Sequence, residues 1–172
     1  DKKTVTVLPD GGPDGLSIGD AVAHVGNNHI APDDSWVGRV IDPFGQALDG
    51  KPILQGNKPR PLRGEPLNPT ERRQLGARLE SGLAVFNTLL PIVRGQRIGL
   101  FAGSGVGKST LLAKLATGLQ ADVVVIAMIG ERGREVREFL DRVLGPTGMK
   151  RSVIVAATSD QSPMVRRRCA WT

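Results

Sequence analysis

One cysteine, Cys169, stands in 172 residues, and tyrosine is absent altogether. A single thiol excludes an internal disulfide framework and agrees with a reducing compartment. As a lone residue it reads as a small packed hydrophobe rather than a nucleophile. Aromatic residues make up 3% of the chain, so platforms for stacking bases are scarce. Long hydrophobic runs are also missing: the longest, Val123 to Ile129, falls far short of the ~20 residues that span a bilayer. No signal or transit segment is visible, and a cytoplasmic address is the expectation. Basic charge is scarce only at the start. The first 50 residues hold eight Asp against three Lys/Arg, whereas the remainder holds 20 Lys/Arg against nine Asp/Glu, and the whole chain is +6. Such a basic stretch suits nucleic acid, an acidic partner or a neighbouring subunit, and the lack of aromatics disfavours nucleic acid.

Glycine is plentiful where it matters. Residues 102–110 read Ala-Gly-Ser-Gly-Val-Gly-Lys-Ser-Thr, which fits the phosphate-loop pattern [AG]-x-x-x-x-G-K-[ST]. Gly103, Gly105 and Gly107 let backbone N–H groups turn inward around an anion, with Ser104 and Val106 between them. Lys108 supplies a point charge for the β- and γ-phosphates, and the Ser109 hydroxyl suits Mg²⁺. Ala102 opens the motif and Thr110 follows it into a helix, whose unpaired N–H groups and dipole favour negative charge. The flanks supply the required context. Gln96 to Phe101 reads as a strand, and Leu111, Leu112, Leu115, Ala116 and Leu119 form one apolar stripe at helical spacing. A nucleoside triphosphate with Mg²⁺ is the expected guest.

Around the loop the chain changes character. Residues 4–8, 21–25 and 36–41 read as strands, Asp42-Pro43-Phe44-Gly45 as a turn, and residues 51–70, with five prolines, as a surface connector. Thr70 reads as the cap of a helix starting at Glu71, and Ser81–Leu90 as a second helix before Pro91. Val123–Ile129 is a β-branched run expected to be buried on both faces of a parallel sheet. Residues 134–144 are amphipathic and stop at Gly145-Pro146, residues 152–158 form another buried strand, and Ser162-Pro163 opens a last helix. The chain starts without a methionine and stops inside that helix, so both ends read as cut.

Hydrolysis needs a group that orients water, a carboxylate near the metal and a cation for the transition state. Glu131 follows a buried strand at its C-terminal end, where α/β ligands sit, and Arg132 is beside it. The same two residues also suit a solvated loop before a helix, and spacing alone leaves both readings open. Asp160 is the only pattern match for a second carboxylate, yet it lies past its strand in a polar turn. Arg166-Arg167-Arg168 suits a solvated helix face or an intersubunit contact better than a nucleic-acid patch.

The stretches Phe101–Leu112, Ile129–Phe139 and Ala157–Asp160 resemble the type III export ATPases, relatives of the catalytic and non-catalytic subunits of rotary ATP synthases. Gly38–Asp42 with Leu48-Asp49-Gly50 is similar to the stretch that joins barrel to nucleotide domain there. The resemblance implies an α/β fold: a RecA-like P-loop nucleotide-binding core preceded by part of a β-barrel domain. Residues 1–28 would be the barrel remnant, 29–70 a connector with short strands, and 71–172 the first part of the ATPase domain. It implies Mg²⁺-dependent ATP hydrolysis energising export of flagellar proteins at the cytoplasmic face of the inner membrane, with ATP held between the subunits of a homo-hexamer. Export-apparatus proteins, export substrates and their chaperones are the implied partners; peripheral membrane association fits, and nucleic acid does not. Lys108 is implied for phosphates, Ser109 for Mg²⁺, Glu131 for the attacking water and Arg132 for a phosphate contact. The resemblance argues against Asp160, because the family's metal-shell Asp, like its arginine finger, would follow Thr172. An injectisome ATPase, a rotary-synthase catalytic subunit, a non-catalytic ring subunit and a nucleic-acid translocase are the alternatives.

Overall fold

The computed structural model describes residues 6–7, 14–23, 29–103 and 105–172. At its centre is a strand whose six residues are all buried, β7 (Ser152–Ala157), with the sequence Ser-Val-Ile-Val-Ala-Ala. The other strands among the described residues are β1 (His29–Ile30), β2 (Val40–Ile41), β3 (Arg60–Pro61), β4 (Arg78–Leu79), β5 (Ile92–Val93) and β6 (Val124–Ile129). β7 pairs in parallel with β2 on one edge and with β6 on the other, in register from Val124 opposite Ser152 to Ile129 opposite Ala157. Side chains alternate across a strand. Val153, Val155 and Ala157 therefore meet Ile30, Trp36, Ile41, Val165 and Cys169 on one face. Ile154 meets Ala113, Ala116, Ile126, Phe139 and Leu144 on the other. The sheet is thus the middle layer of three, which is why an unbroken β-branched and small-residue run is needed there.

Among the described residues there are five α-helices, α1 (Ala84–Thr88), α2 (Lys108–Gly118), α3 (Gly133–Glu138), α4 (Gly145–Met149) and α5 (Pro163–Cys169), of which α2 and α5 pack on opposite faces of the sheet. A π-helical turn, Phe139–Leu144, continues α3 and ends where Gly145-Pro146 changes the chain's direction. α5 starts as expected: the Ser162 hydroxyl accepts the Val165 N–H at 3.3 Å, and Pro163 occupies the first turn, where no N–H is missed. The Asp42–Gly45 turn forms too, closed by the Gly45 N–H to the Asp42 carbonyl at 3.1 Å.

Several expectations fail for identifiable reasons. The strand expected over 36–41 shrinks to Val40–Ile41, because Asp33 caps a 3-10 turn over Asp34–Trp36 by accepting the Ser35 N–H at 2.9 Å. No helix begins at Glu71. The Asn68 side chain, not Thr70, caps a short 3-10 turn over Pro69–Glu71, and the chain then runs to β4, which pairs antiparallel with β5. The helix expected over 81–90 starts only at Ala84, since Ser81, fully buried, uses its N–H and hydroxyl on Asn87. Residues 96–101 join no ladder among the described residues, and Phe101 is 95% exposed. β6 is parallel as expected but not covered on both faces: Ile126 is buried while Val125, on the other face, is 64% exposed.

The strand expected over 4–8 falls largely outside the described residues, as does the end of that over 21–25; Ala21–Ala23 are irregular and exposed. Residues 14–23 hold turns and no strand. The connector does run over the surface, pinned at its start by Arg39. That guanidinium donates to both Asp49 oxygens and to the Lys51 and Pro52 carbonyls. No helix among the described residues is long and apolar enough to cross a membrane.

Candidate functional site

The phosphate-loop motif lies directly before α2. Gly107 sits at φ +91, a conformation that a side chain rarely tolerates, and from there the helix begins at Lys108 with the Leu111 N–H returning to the Gly107 carbonyl at 2.9 Å. α2 is anchored by Ala113, Leu115 and Ala116, all buried, whereas Leu112 of the expected stripe is exposed. Its N-terminus, with free N–H groups and the positive end of its dipole, opens into a cleft of about 420 Å³.

Gly103, Gly105, Gly107, Lys108, Ser109 and Thr110 line that cleft, and Glu131 lines it with them. Ala102 is exposed and Val106 projects to solvent; neither lines the cleft. Ser104 lies outside the described residues. The turn that carries Glu131 is tied at both ends to the strand beside it. The Gly130 N–H donates to the Ala157 carbonyl at 2.7 Å, and the Ser159 N–H donates to the Glu131 carbonyl at 3.0 Å. Gly130, at φ +76, makes the sharp exit from β6 possible.

Arg132 is beside the cleft rather than in its wall. Its backbone N–H donates to Glu135 Oε2 at 3.3 Å, and its largely exposed guanidinium lies 3.7 Å from Glu135 Oε1. That Arg132 N–H is the main reason the Glu135 carboxyl stays below the usual carboxylate range; the Glu131 side chain and the charges of Arg132 and Arg134 add to it. Asp160 is exposed and does not line the cleft; the Thr158 hydroxyl holds its carboxyl below the usual range.

Sequence reasoning missed Glu135, Glu138 and Phe139, which line the cleft together with Met128 and Val143. A signal was there: Glu135 and Glu138 stand three residues apart in a helical pattern, which places them on one face of α3. The three arginines of α5 do not form a single patch. Arg168 stacks on Phe44 and donates Nε to the Pro43 carbonyl at 2.7 Å, Arg167 faces the Trp171 ring, and Arg166 turns inward against Gly130.

No cluster of three or more His, Cys, Asp or Glu able to hold a metal ion exists among the described residues. A hydroxyl at a helix start, Ser109, beside a lysine and an anion cradle is the donor set for a cation that arrives with its nucleotide. Such a cation keeps phosphate oxygens and waters as most of its ligands.

The nucleotide-binding domain of the ATP synthase alpha/beta family matches residues 82–172. The flagellum-specific ATP synthase of Treponema pallidum is 49% identical over 163 residues, 92% of this chain and 36% of that protein. The protein of the same name from Caulobacter vibrioides is 43% identical over 167 residues, 96% of this chain and 38% of that protein. The type 3 secretion system ATPase of Pseudomonas syringae pv. syringae is 44% identical over 169 residues, 94% of this chain and 38% of that one. In three dimensions the chain matches the assembled ATPase EscN from the enteropathogenic E. coli type III secretion system. The TM-score is 0.83 at 37% identity, over 95% of this chain and 40% of EscN. The chain spans well under half the length of these relatives.

Proposed function

The chain belongs to the ATP synthase alpha/beta family, and on that premise we propose that it carries the phosphate-binding half of an ATPase energising type III export of flagellar proteins. The observation that carries this is the convergence on one cleft of a glycine-lined helix start, Lys108, Ser109 and Glu131. Identities of 43–49% to flagellum-specific ATP synthases support the flagellar assignment; the 44% identity to a type 3 secretion ATPase keeps an injectisome role as the second reading.

In this proposal the N–H groups of Gly103 to Gly107 and the Lys108 ammonium hold the β- and γ-phosphates, with Ser104 part of the same loop and Ala102, Val106 and Thr110 shaping its ends. Ser109 is the protein's ligand to the accompanying Mg²⁺, which when bound neutralises phosphate charge. Glu131 accepts a hydrogen bond from a water and aligns it with the γ-phosphorus, and Arg132 reaches a phosphate oxygen from the rim. The remaining groups of the site, including an arginine finger, belong to the greater length of the relatives. The chain acts on the cytoplasmic side of the inner membrane, in a homo-hexamer with its site between subunits. Export-apparatus proteins, including a stalk protein like the EscO that binds EscN, export substrates and chaperones are its partners. Residues 1–28 belong to a barrel domain, 29–70 connect, and 71–172 begin the RecA-like core, to which the connector lends β2.

Lys108→Ala in the full-length protein tests this. Two unit charges 4 Å apart exchange about 4 kcal/mol at an effective dielectric of 20, so ATP affinity should fall on the order of a thousandfold. Unchanged affinity would remove the loop from the site.

A further inference from the structure

We propose that Arg166 is a positioning residue for the Glu131 turn, acting on it through Gly130. Arg166 lies on α5 and does not line the cleft. A β-carbon placed on Gly130 would stand 3.7 Å from Arg166 Nη1 and 3.8 Å from its Cδ, so the guanidinium and its stem pack directly on the residue that swings Glu131 out of β6. Arg166 Nε is shut off from solvent and has no hydrogen-bond partner among the described residues. A buried donor left unpaired is costly, and a lone hydrophobe would fill the same space without that cost. Its neighbours Arg167 and Arg168 have ring faces to stack on, whereas Arg166 has the Gly130 backbone.

α5 holds this contact firmly. Val165 and Cys169 are buried on either side of Arg166, the Ser162 cap fixes the first turn, and the Arg166 N–H returns to the Ser162 carbonyl at 3.0 Å. The turn is held by two backbone bonds among the described residues, Gly130 N–H to the Ala157 carbonyl and Ser159 N–H to the Glu131 carbonyl. Arg166 supplies the third side of the mount. Without it Gly130, at φ +76, can relax, and the Glu131 carboxylate loses its fixed distance to the phosphate loop. A misplacement of that kind slows a chemical step without loosening the bound ligand.

The proposal rests on Glu131 as the water-orienting carboxylate, and its test is steady-state ATP hydrolysis alongside nucleotide binding in the full-length protein. Arg166→Met should lower kcat tenfold or more with nucleotide Kd within twofold of native. Arg166→Lys, which keeps the stem and the cation, should stay within threefold of native kcat. Arg166→Gln, which removes the guanidinium and keeps a polar side chain, should reproduce the selective loss and carries the test if Arg166→Met does not fold. Native kcat in Arg166→Met or in Arg166→Gln overturns the proposal. So does a parallel loss of binding and turnover, or a lysine variant as slow as the methionine one. A native protein without ATPase activity is a different failure: it removes the functional reading, and this proposal with it.

Discussion

Arg39 grips Asp49 through two nearly parallel hydrogen bonds, Nε to Oδ2 at 2.5 Å and Nη2 to Oδ1 at 2.7 Å, with the two side chains only 15% and 22% exposed. The pairing holds the Asp49 carboxyl down at about 2, from an ordinary 3.8. A carboxylate depressed on folding stabilises the protein above its unfolded value and loses that contribution as pH falls through the folded one. The expected loss therefore lies between about pH 4 and pH 2 and, after solvent screening, is on the order of 1 kcal/mol. Urea midpoints of the native protein and Asp49→Asn across that window check it: the difference at pH 6 should shrink toward zero near pH 2. A constant difference would mean that the pair contributes nothing through charge.

Ile154 is fully buried at the middle of β7, against Ala113, Ala116 and Phe139. Ile154→Ala should cost about 2–5 kcal/mol, the usual range for emptying such a site. A smaller loss in denaturant titration would show that the helical layer on that face is loosely packed.

Cys169 is buried under the Val155 carbonyl, and burial pushes its thiol up to about 11. Because the thiolate is the reactive form, a disulfide reagent at pH 8 should label the folded protein far more slowly than the urea-unfolded one. Equal rates would place Cys169 at the surface.

What could be read from the sequence was local. The phosphate loop, the Ser162-Pro163 start of α5, the Asp42–Gly45 turn and the buried run of β7 each depend on neighbours a few residues away, and their residue types declare them. The failures share the opposite property. Whether Gln96–Phe101 pairs depends on what lies beside it, and whether Val125 is covered depends on what packs on that face of β6; neither is encoded in those residues. Asn68 outcompeted Thr70 as a cap because both are good acceptors and Pro69 favours a turn start immediately after Asn68. Arg166, Arg167 and Arg168 look alike in sequence, but the helix sends them in three directions. In the cleft, Lys108 and Glu131 were legible as candidates, whereas Glu138 needed the recognition that the helix after Glu131 turns an acidic face toward the loop.

The most direct measurement is ATP binding and turnover by Glu131→Gln in the full-length protein. Glutamine keeps the size of the side chain and removes the charge that orients a water, so binding should stay within a few fold while kcat falls by at least 100-fold, the low end of what a positioned base contributes, typically about 10²–10⁴. Turnover near native would contradict the account, because the carboxylate that lines the cleft with the phosphate loop would then not be the group that acts on the attacking water.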